Sequence, residues 1–180
     1  MRRPAFLTVV LMTAALLLAP TAPATAAPYC GLTWGSLTKA DAQMSTAPVT
    51  GVRSGRHACF DRLVVDVRGD VGGYTVRYVT HVRSDGSGAI IPTRGGARLQ
   101  ITVNDPAYDA SGRPTYVPRN TRALTDVTGY RTFRQVVWAG SFEGYSSVGL
   151  GVRARLPFRV LTLDGPGTAS RLVIDVAHRW

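Results

Sequence analysis

Residues 62–67 read RLVVDV and residues 171–176 read RLVIDV, so the chain contains nearly the same six-residue stretch twice. In the first copy, Leu63, Val65 and Val67 fall on one face of an extended chain, whereas the arginine and the aspartate fall on the other. Alternation with a period of two is typical of a β-strand that places one face in a hydrophobic core. The two copies therefore predict two strands of similar environment.

The aspartate in each copy needs a partner or water, because a carboxylate in the middle of a β-strand is otherwise unfavourable. Within one strand the arginine and the aspartate lie about 13 Å apart and cannot meet. Antiparallel pairing of the copies would set Arg62 opposite Asp175 and Asp66 opposite Arg171, whereas parallel pairing would align like charges. The copies could instead occupy equivalent places in two related sheets, or be similar by chance.

Similar alternation recurs along most of the chain. It predicts strands in the stretches GYTVRYVTHV, AII, ARLQITV, YRTFRQVVWAG and PFRVLTL, and a hairpin turn at SDGSG. Residues 104–121 are rich in Pro, Asn, Asp and Gly and are predicted to form a long loop. Because no segment has convincing helical periodicity, we predict an all-β fold, an antiparallel β-sandwich.

The first 26 residues have the pattern of a secretory signal peptide. Arg2 and Arg3 precede an apolar run over residues 6–19, and small residues with A-x-A spacing follow it. We predict cleavage after Ala26, which would leave a secreted protein without stable membrane insertion. A retained membrane anchor is the alternative, although a transmembrane helix needs about 20 apolar residues.

The remaining chain divides into two parts and carries two cysteines. Residues 27–56 lack sustained periodicity and are predicted to form an extended N-terminal segment before a sandwich domain of residues 57–180. Two cysteines in an exported chain most simply form one disulfide, which predicts a bond between Cys30 and Cys59. His57 lies close enough to Cys59 for a metal pair, but no second C-x-x-C or H-x-x-H completes a four-ligand set. We therefore predict neither a metal site nor a cofactor.

The chain is basic, with 21 Lys and Arg against 11 Asp and Glu and a formal net charge of +10. Without Arg2 and Arg3, 19 basic and 11 acidic residues leave +8. Such a charge suits an anionic partner, for example a wall polymer. The arginines are dispersed along the sequence, which fits a solvated basic surface equally well. Export argues against nucleic acid as a partner.

The order of the motifs resembles the AMIN-like domain of exported bacterial proteins, which is similar to the AMIN module of N-acetylmuramoyl-L-alanine amidases. The resemblance rests on FDRLVVDV, GYTVRYV, GSFEGYSSVGLGV and PFRVLTLDGPGTASRLVIDV, and it covers about residues 57–180. This chain has extra residues between Pro166 and Arg171. The resemblance implies a β-sandwich of two related sheets and a role in targeting to the cell envelope by binding peptidoglycan.

Residues with catalytic potential are few. The chain has three histidines, His57, His81 and His178, and one glutamate, Glu143. A zinc amidase needs converging His and Glu ligands and a general base, and His81 is predicted in mid-strand. No G-x-S-x-G elbow is present, and a paired-carboxylate glycosidase would have to use aspartates, several of which are in predicted turns. We therefore predict a protein that is not an enzyme.

Two groups of residues are candidates for ligand binding. In WAGSFEGYSSVGLGV, Phe142 and Tyr145 flank Glu143, and exposed aromatic rings can stack on sugars while a carboxylate accepts hydrogen bonds. In the alternative, Trp138 is part of the core and Gly140 and Gly144 simply form a turn. Arg77 and Arg83 would share one face of the VRYVTHVR strand, and they could hold carboxylates or phosphates bidentately. An ordinary solvated strand face is the alternative for this pair.

Together these patterns predict a secreted, non-catalytic binding module associated with the cell envelope, whose partner is a cell-wall polymer or an envelope protein. A secreted protein-interaction domain or inhibitor that uses the loop of residues 104–121 is the second possibility. A small secreted hydrolase is the third.

Overall fold

A computed structural model describes Ala27 and residues 29–180. The signal peptide predicted for residues 1–26 lies outside these described residues. The one helical element of the described chain is a 3-10 turn at Tyr29–Gly31. Nothing in this part of the chain forms a helix of the length and hydrophobicity needed to span a bilayer.

Eleven strands follow one another along the described chain. Their bounds are β1 (Lys39–Asp41), β2 (Val49–Arg56), β3 (Phe60–Val67), β4 (Tyr74–Val79), β5 (Val82–Arg83), β6 (Ile90–Ile91), β7 (Ala97–Val103), β8 (Phe133–Phe142), β9 (Tyr145–Val152), β10 (Phe158–Asp164) and β11 (Ser170–Ala177). Sheet A has the order β1-β4-β7-β9-β8 and sheet B the order β10-β11-β3-β2, while β5 and β6 form a separate hairpin. All pairings are antiparallel, and the predicted all-β sandwich is confirmed.

The strands that contain the two similar hexamers, β3 and β11, are neighbours in the middle of sheet B. Arg62 lies opposite Asp175, and Asp66 lies opposite Arg171. This register confirms the predicted antiparallel pairing and excludes the alternative that the copies lie in different sheets. A central pair of strands is buried on its inner face along its whole length, which is why both copies need an unbroken apolar alternation.

The hydrophobic core lies between the inner faces of sheets A and B. Its largest fully buried side chains come from both sheets and are Leu63, Leu99, Ile101, Phe133, Leu150, Phe158, Leu172 and Ile174. Full burial of one such side chain stabilises the fold by about 1.5–3 kcal/mol. Because the inner faces of the two sheets carry mainly apolar side chains, packing the sheets together removes these side chains from water.

Two glycines of β9 allow the β5–β6 hairpin to lie directly on the outer face of sheet A. A Cβ atom at Gly149 would lie 2.6 Å from Val82 and 2.7 Å from Val137, and one at Gly151 would lie 1.7 Å from the carbonyl oxygen of Arg94. These separations are far below van der Waals contact. The absence of side chains in the stretch VGLGV therefore lets Val82 and Val137 form a second, small apolar cluster beneath the hairpin.

The sequence pattern fails in two places. One strand is predicted through GYTVRYVTHV, but β4 ends at Val79, His81 lies in a bend, and Val82 begins the hairpin. The chain leaves sheet A there because Val82 packs down onto Gly149. Residues 49–56, predicted as part of an extended segment, form β2 at the edge of sheet B. Its sequence VTGVRSGR has no clear alternation of apolar and polar residues, so β2 forms because it pairs with β3.

The N-terminal segment before β1 is attached to sheet B at two points. Cys30 and Cys59 form the predicted disulfide. Trp34 packs against Phe60 with ring centroids 5.5 Å apart, and the guanidinium of Arg159 lies 4.4 Å from the centre of the Trp34 ring. This segment therefore covers part of the outer face of sheet B.

Candidate functional site

Strands β8 and β9 are joined by a two-residue turn at one end of the sandwich. Phe142 pairs with Tyr145, so Glu143 and Gly144 form the turn, with φ angles of 50° and 84°. Two positive φ angles are typical of a type I′ turn, in which Asn, Asp or Gly is the usual first residue. The single glutamate of the chain therefore occupies a left-handed conformation, at a cost of about 1 kcal/mol or more.

Hydrogen bonds tie this turn to the loop that follows β7. The amide of Gly144 donates to the Tyr108 hydroxyl at 2.9 Å. The Ser141 hydroxyl accepts from the Ala107 amide at 2.9 Å and donates to the Tyr145 carbonyl at 2.8 Å. Because both sides of the turn are held by groups distant in sequence, Glu143 and its neighbours are presented in one defined position.

Apolar side chains around the turn are exposed. The exposed fractions are 50% for Phe142, 39% for Tyr145 and 52% for Met44. Phe142 and Tyr145 face each other across the hairpin and share one face of sheet A. Met44 and Tyr108 line a cavity of about 630 Å³ that also reaches Gly144. The prediction of exposed aromatic residues is therefore right for Phe142 and Tyr145.

Carboxyl groups lie close to the same cavity. Asp70 lines it, and the exposed Glu143 precedes Gly144, which also lines it. Asp105 is completely buried, and both its oxygens accept the amide of Gly72, at 3.2 and 3.0 Å. Burial raises the pKa of Asp105, and the hydrogen bond from Gly72 opposes that rise. This end of a basic protein thus combines aromatic rings with hydrogen-bond acceptors.

Arg77 and Arg83 lie in different strands but flank the same residue. Arg77 lies opposite Gln100 in sheet A. The Gln100 side chain accepts the Arg83 amide at 3.0 Å and donates to the Arg83 carbonyl at 3.1 Å, while the Arg83 guanidinium donates to the Gly88 carbonyl at 2.8 Å. The prediction of one shared strand is therefore wrong. Three strand spacings, about 14 Å, separate β4 from β8, so Arg77 and Phe142 belong to two separate groups.

Asp175 is held by two arginines on the outer face of sheet B. Its side chain is completely buried, and it accepts from Arg62 at 2.6 Å and from Arg159 at 2.9 Å. Hydrogen bonding to Asp175 raises the pKa of Arg62. This arrangement confirms that an arginine holds the aspartate of the second hexamer, and it adds an arginine from β10.

Asp66, the aspartate of the first hexamer, has a different partner from the one that its register suggests. It accepts from Arg53 of the edge strand β2 at 2.8 Å. Arg171, which lies opposite it, donates instead to the backbone carbonyl of Asp164 at 2.9 Å. The predicted register is right, but an Asp66–Arg171 ion pair does not form because Arg53 reaches the carboxylate from the other side.

A buried histidine–aspartate pair lies near the carboxyl end of the chain. Nε2 of His178 is 3.2 Å from Oδ1 of Asp61, whose Oδ2 accepts the amides of Thr132 at 2.6 Å and Phe133 at 3.1 Å. The pair borders a cavity of about 320 Å³ in which no Ser, Thr or Cys is among the lining residues. Since Asp61 accepts two backbone amides at the start of β8, the pair holds the loop before β8 against β3.

Metal binding by His57 and Cys59 is excluded because Cys59 is in the disulfide. His57 stacks on Phe60 instead, with ring centroids 4.5 Å apart. Among Ala27 and residues 29–180, no group of three or more His, Cys, Asp or Glu side chains could hold a metal ion.

A model of the AMIN-like domain matches residues 47–178. The chain belongs to the AMIN-like domain family. AMIN-like domains are generally non-catalytic binding modules, and membership suggests a module associated with the cell wall. Together with the disulfide, it is consistent with an extracytoplasmic location. A search of curated proteins found no match to this chain.

Two residues near the Glu143–Gly144 turn, Met44 and Tyr108, were not predicted from the sequence. They are 99 and 35 positions before Glu143 and reach it only through the packing of separate loops. Tyr108 lies in the predicted loop of residues 104–121, which is confirmed and continues to β8. The available sequence signal for Tyr108 was that an aromatic residue lies among turn-forming residues.

Proposed function

We propose that this AMIN-like protein is an exported, non-catalytic module that binds cell-wall glycan at its aromatic end. The aromatic end is defined by Met44, Tyr108, Phe142, Glu143 and Tyr145. The observation that carries the proposal is the exposure of Phe142 and Tyr145 on a turn held in place by hydrogen bonds. Aromatic side chains are usually largely buried, so two exposed rings on a fixed turn favour a ligand-binding role.

The chemistry of a glycan fits this end of the molecule. A pyranose ring presents an apolar C–H face that can stack on Phe142 or Tyr145, and its hydroxyls can donate to the carboxylates of Glu143 and Asp70. A turn fixed before the ligand arrives loses little conformational freedom on binding. The strained conformation of Glu143 further supports a functional role for the turn.

Export is part of the same proposal. It is supported by the pattern of residues 1–26, by the disulfide and by the family. Membership of a family of generally non-catalytic binding modules supports the proposal that the module is not catalytic.

Sedimentation with purified cell walls tests the proposal. The full sequence is expressed in an exporting host, and the fraction of purified protein that pellets with walls is measured against wall concentration. We expect the double variant Phe142→Ala/Tyr145→Ala to bind about 5- to 150-fold more weakly, since each aromatic stacking contact contributes about 0.5–1.5 kcal/mol. Binding should persist at 0.5 M salt, because stacking is little affected by ionic screening.

The matched control is Leu37→Ala/Val117→Ala, which removes two apolar side chains that are 76% and 74% exposed elsewhere on the surface. This variant should pellet as the unmodified protein does. Equal pelleting of the aromatic variant and this control would contradict glycan binding at the aromatic end.

A protein partner is the second candidate, favoured by Val117, which is 74% exposed in the long loop between β7 and β8. A pull-down that yields one stoichiometric protein and no polysaccharide would support it. Loss of that protein with Val117→Ser, but not with Phe142→Ala, would assign the interaction to the loop.

A further inference from the structure

Six arginines that are scattered in the sequence converge on one side of the folded molecule. Three adjoining cavities are lined by Arg56, Arg94, Arg98, Arg122, Arg131 and Arg134. The first cavity, of about 460 Å³, shares Arg94 and Gln135 with the second, of about 410 Å³. It shares Gly129 with the third, of about 320 Å³. The six side chains thus form a continuous basic surface, named here the arginine band.

None of these six arginines forms a salt bridge within the described residues. Arg98 donates to the Thr93 carbonyl at 2.8 Å, and Arg134 donates to the carbonyls of Tyr130, Arg131 and Phe133 at 3.2, 3.2 and 2.8 Å. Backbone carbonyls occupy donors of a guanidinium but leave its charge uncompensated. The band therefore retains its positive charge, although Arg134 has fewer free donors than the other five.

Two carboxylates border the same cavities, and both have partners of their own. Asp126 accepts the amide of Thr128 at 2.8 Å, and hydrogen bonds from Thr128 lower the pKa of Asp126. Asp61 is buried against two backbone amides and His178. Six guanidinium groups against two carboxylates leave the band strongly positive.

Gln135 holds two of the arginines in relation to each other. Its Nε2 donates to the carbonyl of Arg122 at 2.8 Å, and its Oε1 accepts the amide of Arg94 at 2.7 Å. The segment between β6 and β7 that contains Arg94 and the loop that contains Arg122 are thereby fixed across the boundary of two cavities. The band is a surface with defined geometry, not a set of independent side chains.

We propose that the arginine band binds a flexible linear polyanion whose phosphate or carboxylate groups repeat along its chain. Guanidinium groups bind either anion bidentately. Arginines spread over three adjoining cavities suit a polymer that contacts several of them, whereas a small anion would use one cavity. The proposal goes beyond glycan binding, because it concerns another surface and a charged ligand.

Nucleic acid is the less suitable polyanion. Binding of single strands relies on aromatic side chains on which bases stack. Two of the aromatic residues that line the band, Tyr130 and Phe133, stack on each other with centroids 5.7 Å apart, and Phe133 is in the core. The phenol and phenyl rings of the band are therefore engaged within the protein, and the exposed rings that line the band are the small imidazoles of His57 and His81.

Fluorescence titration tests the proposal with three labelled probes of equal charge: polyphosphate, polygalacturonate and single-stranded DNA. The protein is purified after expression of the full sequence in an exporting host. We expect at least one of the first two probes to bind, with an affinity that falls as salt rises. Arg94→Ser/Arg122→Ser should weaken binding at least about tenfold and reduce the slope of log K against log salt by about 0.7 per lost contact.

The matched control is Arg68→Ser/Arg119→Ser, which removes the same charge at two exposed arginines outside the three cavities. This control should keep most of the affinity. The proposal is overturned if both double variants lose affinity equally, if neither polyphosphate nor polygalacturonate binds, or if DNA binds more tightly than both. Preference for polyphosphate or polygalacturonate identifies phosphate or carboxylate as the recognised group.

Failure here is distinguishable from failure at the aromatic end. The arginine variants are expected to lose polyanion binding while still sedimenting with walls stripped of anionic polymers. The aromatic variants are expected to do the reverse.

Discussion

The outer face of sheet B and the arginine band use the same residue type in opposite ways. On sheet B, Arg62 and Arg159 bind the buried Asp175, so their charges are compensated within the fold. Along the band, Arg94 and Arg122 have no carboxylate partner among the residues that the structure describes. Some arginines of this basic protein therefore have a structural role, and others remain available to a ligand. The net charge alone does not distinguish the two groups.

A buried and a half-buried carboxyl group show a similar contrast. Asp175 has two arginine partners, whereas Asp85, in the loop that joins β5 to β6, has no salt-bridge partner among the described residues. Its Oδ1 accepts the Ser147 hydroxyl at 2.9 Å, while its Oδ2 has no protein partner among the described residues. Burial raises the pKa of Asp85, and the bond from Ser147 opposes that rise. The carboxylate of Asp175 thus stabilises sheet B, whereas that of Asp85 is tolerated in the loop between β5 and β6 without an ionic partner.

The largest effect is expected from Asp175→Ala. This change leaves the partly buried Arg62 and Arg159 without their acceptor, and we expect the free energy of unfolding to fall by about 3–5 kcal/mol in urea denaturation. The control is Asp66→Ala, whose partner Arg53 is 54% exposed, and it should cost about 0–1 kcal/mol. Similar losses from the two variants would remove the distinction between a buried and an exposed pair.

The next effect is expected from Cys30→Ser/Cys59→Ser. Opening a loop with a sequence separation of 29 should lower the free energy of unfolding by about 3 kcal/mol. It should also release the N-terminal segment from sheet B, which a loss of Trp34 fluorescence anisotropy would report. Polyanion binding should be unchanged, since the arginine band does not include this segment. Reduced wild-type protein serves as the control.

A smaller effect of opposite sign is expected from Asp85→Asn. Because burial raises the pKa of Asp85 above its ordinary value of 3.8, the ionised carboxylate destabilises the folded state. That penalty is absent below pH 3.8, grows as the pH rises through the folded-state pKa, and is complete above it. Asn should therefore stabilise the protein by about 1 kcal/mol at pH 7 and by almost nothing at pH 3. Equal effects at both pH values would show that ionisation is not the cause.

The smallest effect on stability is expected from Arg94→Ser/Arg122→Ser. Since neither side chain has a salt bridge in the described structure, the change in unfolding free energy should stay within about 0.5 kcal/mol. Thermal unfolding measures it directly. A loss above about 1 kcal/mol would indicate that these arginines, like those of sheet B, have a structural role.

The strands were largely predictable, whereas the sites were predictable only in part. The strands β3, β7, β10 and β11 have clear alternation, which follows from burial of one face. In contrast, β2 contains two glycines and two arginines within eight residues, so its place at the sheet edge depends on pairing with β3. Phe142 and Tyr145 were candidates because they flank a local turn, but Met44 reaches that turn only through long-range packing.

The sequence by itself determined the all-β sandwich and the disulfide, and it offered the antiparallel register of the twin hexamers as one of several arrangements. These follow from alternation, charge complementarity and cysteine number, which are properties of the chain that can be read without coordinates. Only the tertiary structure decided that Asp66 pairs with Arg53 instead of Arg171, that β5 leaves sheet A, and that six separate arginines adjoin one another. The reason is that ion pairs and surface clusters depend on separations of a few ångströms between residues distant in sequence, whereas burial of a strand face is dictated by its neighbours along the chain.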